Sequence, residues 1–584
     1  MSAIESASTV PRHLRRFVVR QNYDAYTEQD QAVWRFVVLQ THSRLLTTAH
    51  EAYARGFAAA GISVERIPRI DEMNERLGRF GWGAVCVDGF IPPRVFQAFQ
   101  ARAILPIAAD IRTSRHLTYT PAPDIIHEAA GHAPFLSEPH YARYVKRIGE
   151  VARRAFATPA DRAVYDAIFQ LSELKEDPAS TPQSIHRAEQ ALSAATALVT
   201  VISESAKIAR LYWWTAEYGL VGTPSDFHLY GAGLLSSIGE GHFCRLPDVR
   251  KLPLTKGCVD VDYDVTRAQP QLFVARNFGQ LEEVLDDVDR TLAYRVGAGV
   301  ALEMAQRSEE LATVRLDSGV EVVGVVRTSD ASDGRTSLVV FDGPSALAQN
   351  GSLIDGMPRR TGYLLPLGAL KDGTPLSALT PESMLARTKS GQLVLELSSG
   401  ITVGGDVRAL VPIDGRVGAV LLADCEIRRG NERLLAADLY ALALGEAVET
   451  AWAGAPDAFF PATPGSNVSV PKNRDFSEPE LEMIALYDRA VSAFRASFGS
   501  AAAREVEAIA TRLDDAFPDE WLLRWNLLES LVKLGEHPEL ADRLERELSR
   551  LELTFGGLEP IATGLDYVRS LRGNTPPHGH RFAG

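Results

Sequence analysis

Asp124-Ile125-Ile126-His127-Glu128-Ala129-Ala130-Gly131-His132 sets two imidazoles five residues apart in a stretch that, between its Asp124 and His132 ends, is otherwise apolar except for Glu128. A second apolar segment, Tyr212-Trp213-Trp214-Thr215-Ala216-Glu217, ends on a lone carboxylate 85 residues after His132. Polar side chains inside such runs need partners, because an unpaired buried polar group is costly. Two histidines and one carboxylate on one side of a metal leave further coordination positions open, an arrangement suited to non-haem Fe(II).

Each residue also has an ordinary reading. A histidine pair in 584 residues is more often core or surface than ligand. Asp124 is placed to cap a helix start, with Glu128 adding negative charge in its first turn. Zinc peptidases carry their histidines at i and i+4, on one helical face. Here the spacing is i+5, which on a continuous α-helix separates the rings by about 140°. A shared metal therefore requires the helix to end near Gly131, glycine being suited to a helix C-terminus. The peptidase reading fails on spacing.

The longer stretch Tyr119 to Leu136 resembles the iron-binding signature of the pterin-dependent aromatic amino acid hydroxylases. Two further blocks agree in order: Tyr212 to Leu220, and Tyr230-Gly231-Ala232-Gly233-Leu234-Leu235-Ser236-Ser237-Ile238-Gly239-Glu240. Phe80 to Val85, Asp110-Ile111-Arg112 and Val265 to Pro270 also fit, so the likeness covers about residues 10–297. The resemblance implies that His127, His132 and Glu217 hold Fe(II). It places a tetrahydropterin (tetrahydrobiopterin or a relative) against Phe96, Ile91 and Glu128. For the amino acid it implies Arg112 on the carboxylate, oriented by Asp124, with Thr120, Trp213, Ser236, Glu240 and Val265 in or behind the pocket. The chemistry suits these types. Arginine offers a rigid fork to a carboxylate, and tryptophan a flat apolar wall to a ring. Taken alone, Trp213 and Phe96 also read as plain core, Arg112 as a surface ion pair and Ser236 as a helix cap.

The implied reaction divides O2 between two two-electron acceptors, the reduced pterin and the ring of a free aromatic amino acid. Trp213 stands where the tryptophan hydroxylases carry a smaller aromatic, which favours a single-ring substrate. Val265 falls where tyrosine hydroxylases tend to carry an acid. An apolar pocket suits a phenyl ring better than a phenol, so phenylalanine to tyrosine is the expected reaction. The alternatives are the same chemistry on tryptophan, another aromatic or another ring position, or a silent sensor of aromatic amino acids.

The chain departs from the family pattern in two ways. Between His132 and Glu217 it carries an insertion within about residues 155–205, read first as a surface loop plus helix and second as a lid or subunit contact. After residue 300 it carries nearly 290 residues of other material, in place of the carboxyl-terminal oligomerisation helix of the animal enzymes. Residues 301–452 are rich in short alternating runs and turn pairs and read as β structure. The pattern Leu-x-Ser-Gly-β-branched-x-Val-x-Gly-x-Val occurs at Leu316 and again at Leu397, which suggests a duplicated half. Residues 453–475 read as a linker and 476–555 as a helical bundle, opened by a capping box at Ser477–Glu480 and an apolar stripe from Leu481. The tail 573–584 reads as disordered. The expected fold is thus a mainly α catalytic domain of the hydroxylase type (α+β) over residues 1–300, then a β-rich domain and a carboxyl-terminal helical domain.

Composition bounds the partners. A formal net charge of −14 argues against nucleic acid and anionic membranes. No apolar run reaches membrane-spanning length, and the amino terminus lacks signal-peptide character. Four scattered cysteines give no disulfide framework and fit a reducing cytoplasm. The expected partners are a small aromatic amino acid and O2, with the carboxyl-terminal domains as candidate surfaces for self-assembly.

Overall fold

The computed structural model describes residues 10–89, 91–117, 123–176, 180–265, 268–332, 335–359, 361–389, 392–460, 476–495, 499–554 and 559–573. Thr120, the tail after residue 573 and most of the expected linker lie outside these residues.

The helix Glu28–Thr48 starts at a capping box in which Thr27 and Asp30 satisfy each other's backbone. It runs through the core, with Trp34, Phe36 and Val37 fully buried. Short strands flank it. β1 (Gly83–Val87) and β2 (Ile104–Ala108) pair in parallel. β3 (Leu220–Thr223), β4 (Asp226–Leu229), β5 (Arg250–Pro253) and β6 (Gln271–Ala275) form a mixed sheet in the order β4-β3-β6-β5. The segments bearing His127, His132 and Glu217 lie between the two sheets in sequence.

The insertion folds as two helices, Pro159–Glu176 and Pro182–Ala197. Both begin with side-chain caps: Thr158 with Asp161, and Thr181 with Ser184. The second helix is mostly exposed, with only Ala188 and Ala195 buried.

β structure begins at Leu311 rather than at residue 301, because Ala298–Ser308 is helical. Among the described residues, eleven strands form one sheet: β7 (Leu311–Leu316), β8 (Val320–Ser332), β9 (Arg335–Gln349), β10 (Ser352–Leu353), β11 (Tyr363–Pro366), β12 (Thr388–Lys389), β13 (Gln392–Glu396), β14 (Ile401–Ile413), β15 (Arg416–Arg429), β16 (Glu432–Ala443) and β17 (Val448–Ala453). Their order is β12-β13-β14-β15-β16-β11-β9-β8-β7-β17, with β10 on β9, and they enclose two apolar clusters. The starts of β7, β8 and β9 are each followed 81 residues later by the starts of β13, β14 and β15. The bulges repeat at the same offset: Val323/Val325, Val326/Thr328 and Asp330/Ala331 answer to Gly404/Asp406, Val407/Ala409 and Val411/Pro412. The two Ser-Gly turns agree as well, Gly319 at φ +79° and Gly400 at φ +80°, a region that favours glycine. Bulges bend a strand at a defined residue, so their recurrence is the pattern of two copies of one unit.

After residue 475 come the helices Glu478–Arg495, Ser500–Ala516, Leu522–Leu534 and Pro538–Thr554, and a further helix, Glu559–Gly573. Leu481 is half exposed; the buried face of the first is Met483, Leu486, Tyr487 and Ala490. This bundle shares its core with the catalytic part. Phe36 meets Trp521 and Trp525 edge-on, and Arg35 makes two hydrogen bonds to buried Glu529. No described helix is long and apolar enough to cross a membrane.

Candidate active site

The i+5 spacing of the histidines is met in an unexpected way. The helix does not end near Gly131; Ile126–His132 is wound as a π-helix, and the chain runs on as a 3-10 turn over Ala133–Ser137. In a π-helix the hydrogen bond joins i to i+5, so residues five apart lie over one another. The His127 and His132 rings accordingly sit 5.0 Å apart, nearly perpendicular. Gly131 is required for another reason than a C-cap. A Cβ there would lie 2.7 Å from the Ala232 carbonyl oxygen, so glycine permits the helix Ala232–Leu235 to approach. A second π-turn, Trp213–Glu217, carries the carboxylate and closes with Tyr218 N–H donating to Trp213 O.

The two turns bring the three side chains together, with ligand atoms all within 4.8 Å of one another. Glu217 Oε2 is 3.1 Å from His127 Nε2, and Oε1 is 3.1 Å from His132 Nε2. His132 Nε2 is buried, and its contact with Glu217 Oε1 at 3.1 Å is an ion-pair contact and not a well-formed hydrogen bond. Burial alone would raise the Glu217 pKa, but His132 and His127 hold it well below the ordinary range. Burial would lower that of His127, and the neighbouring Glu217 instead raises it to about 9. A carboxylate that gathers positive charge between two imidazoles, beside a buried ring nitrogen without a well-formed hydrogen bond, is a donor set fit for a divalent cation.

Ser236 fixes the tautomer. Its hydroxyl donates to Ala232 O at 2.8 Å and so accepts from His127 Nδ1 at 3.1 Å, leaving Nε2 as the ring nitrogen that faces Glu217.

Beside this cluster lies a cavity of about 310 Å³. Arg112 reaches it as half of a buried pair: Nε donates to Asp124 Oδ2 at 2.8 Å and Nη2 to Oδ1 at 2.7 Å. Nη1 donates to Ser236 O at 3.2 Å, and Asp124 also accepts from the His127 backbone. Burial would raise the Asp124 pKa, but Arg112 lowers it. Three hydrogen bonds therefore hold the guanidinium in one orientation. Phe96, Ile91, Glu128, Trp213, Glu240 and Val265 all line the cavity too. Phe96 lies 6.0 Å from the His132 ring. Burial pushes the pKa of Glu128 up to about 8 and that of Glu240 up to about 7.

Several lining residues escaped the sequence reading. Trp213 is stacked between Tyr218, at 4.6 Å, and Tyr263, at 4.3 Å. Tyr218 follows Trp213 by five residues, the same spacing as the histidines, and the same winding brings the pair together. The inserted helix Pro159–Glu176 contributes Tyr165, Ile168 and Ser172.

Comparison with known proteins agrees with this geometry. The family model for biopterin-dependent aromatic amino acid hydroxylases matches residues 20–162 and 191–298, leaving 163–190 outside the family pattern. A phenylalanine-4-hydroxylase of Caulobacter vibrioides is 28% identical over 273 residues, covering 47% of this chain and 75% of the relative. One from Pseudomonas aeruginosa is 30% identical over 230 residues, covering 38% of this chain and 71% of the relative. A phenylalanine 3-hydroxylase of Streptomyces coeruleorubidus is 26% identical over 261 residues, covering 44% and 77%. Two π-turns, a cation-ready cluster and the matched sequence together establish that the chain belongs to the biopterin-dependent aromatic amino acid hydroxylases.

Proposed function

We propose that this protein hydroxylates the ring of a free aromatic amino acid, converting L-phenylalanine to L-tyrosine with Fe(II), a tetrahydropterin and O2. The observation that carries the reading is the convergence of His127, His132 and Glu217 beside a cavity that His127 and Glu217 line together with Arg112, itself paired with buried Asp124.

His127, His132 and Glu217 would hold the iron. When bound, iron and reduced pterin together supply the electrons and the binding position that activate O2. The chain's own contribution is positioning. Arg112 takes the substrate carboxylate, while Asp124, which also accepts from the His127 N–H, fixes the position of the guanidinium. Trp213 does not offer the flat wall its type suggested, because Tyr218 and Tyr263 cover its faces; its exposed edge and apolar Val265 bound the space for a phenyl ring. Phe96 and Ile91 face the pterin. Glu128 lines the same cavity, its pKa pushed up by burial. The mostly apolar lining excludes water from a strongly oxidising reaction.

A second reading keeps this site and moves the attack to the meta carbon, as the name of the Streptomyces relative suggests for that protein. The test is product analysis from Fe(II)-loaded protein given tetrahydropterin, O2 and each aromatic amino acid in turn. Para-tyrosine from phenylalanine, lost in His127→Ala and Glu217→Ala, is the expected result. Meta-tyrosine would favour the second reading, and no amino acid product from any substrate would overturn both.

A further inference from the structure

We infer that the inserted helical hairpin is a wall of the pterin side of the cavity, and that Tyr165, Ile168 and Ser172 are cofactor-facing, specificity-determining residues of this chain. The inference rests on the proposed placement of the pterin against Phe96, Ile91 and Glu128.

Three observations carry it. First, all three residues line the same cavity as Phe96, Glu128 and Glu217, and all three fall in the stretch the family pattern does not cover. Second, their spacing of three and four residues puts them on one face of the helix Pro159–Glu176. Third, the helix is anchored beside the cofactor wall. Arg162, one turn before Tyr165, bonds Glu310 Oε1 at 2.9 Å, and Arg94 bonds Glu310 Oε2 at 2.5 Å. Arg94 belongs to the helix Pro93–Gln100, which carries Phe96 and follows Ile91. Two arginines sharing one carboxylate place the base of the hairpin against that helix. Arg162 also donates to Ser308 O at 3.0 Å, and Arg94 to Ala155 O at 2.9 Å. The helix Pro159–Glu176 thus starts from a fixed point beside the helix that carries Phe96.

The chemistry of the three residues suits a bicyclic, hydrogen-bonding heterocycle. Tyr165 offers an aromatic face and a hydroxyl, Ile168 an apolar contact, and Ser172 a donor and acceptor in one group.

The experiment measures 7,8-dihydrobiopterin binding to the full-length, Fe(II)-loaded protein by anaerobic calorimetry. Tyr165→Ala empties the wall and Ser172→Trp overfills it. Ser193→Ala, exposed on the second arm, is the control, and Phe96→Ala tests the underlying placement. A Kd raised about tenfold in both wall variants, with Ser193→Ala unchanged, is expected; tenfold corresponds to about 1.4 kcal/mol. Wild-type affinity in both Tyr165→Ala and Ser172→Trp, with Phe96→Ala weakened, would overturn the hairpin's role while sparing the pterin placement. An unchanged Phe96→Ala would instead remove the placement itself. Equal weakening in Ser193→Ala would reduce the effect to a general loosening of the hairpin and overturn the inference.

Discussion

Gly131→Ala is the sharpest perturbation the site offers, because it alters no ligand and no lining residue. The new methyl group would lie 2.7 Å from the Ala232 carbonyl oxygen and 3.1 Å from the Ala232 Cβ. A backbone oxygen cannot swing aside as a side-chain tip can, so the π-turn and the helix Ala232–Leu235 must separate. Ser236 follows that helix directly and bonds His127 Nδ1 at 3.1 Å, so the separation loosens the support of one ligand. Overpacking of this kind costs about 1–3 kcal/mol. For a catalytic region of this size that lowers Tm by roughly 2–4 °C per kcal/mol. Loss of an outer hydrogen bond to a metal-binding histidine weakens metal affinity by about 10- to 100-fold. Thermal unfolding and a cobalt titration against a competing chelator measure both. If glycine served only as a C-cap, it would sit at positive φ; Gly131 does not. A Gly131→Ala protein with wild-type Tm and wild-type cobalt affinity would refute the close-approach argument.

Three further outcomes follow from the same geometry. Ser236→Ala should leave the fold intact and weaken cobalt binding by about 10- to 100-fold, because His127 loses the acceptor that sets its tautomer. Asp124→Ala leaves Arg112 charged and unpaired in the interior, and should cost about 3–5 kcal/mol in urea unfolding. Glu240 has a folded pKa raised from 4.5 to about 7, so its protonated form is favoured by folding. That contribution is complete below about pH 4.5 and is lost as pH rises through 7. Glu240→Gln should therefore gain stability relative to the parent between pH 4 and pH 8, by at most about 3 kcal/mol; a constant difference across that range would contradict the burial of an ionisable carboxyl.

The residues that the structure gathers at the site were legible in the chain as blocks that resemble a known family pattern. Taken alone, two imidazoles, a distant carboxylate and an arginine also read as core, surface or an ion pair; the resemblance of whole blocks in order is what singled them out. Local turn chemistry was legible too. The Ser-Gly hairpins at Gly319 and Gly400 and the cap at Ser477–Glu480 depend on neighbours in sequence alone. The π winding was not legible, since an α-helix and a π-helix share the same side chains. The wider turn is held by Gly131 against Ala232, about 100 residues on. For the same reason the sequence reading mistook Gly131 for a terminus and Leu481 for a buried position. Periodicity tells which face of a helix is apolar but not what covers it. Tertiary packing decided that Tyr165, Ile168 and Ser172 face the cavity and that Trp525 packs on Phe36, because such contacts depend on surfaces that come together only after the chain has folded.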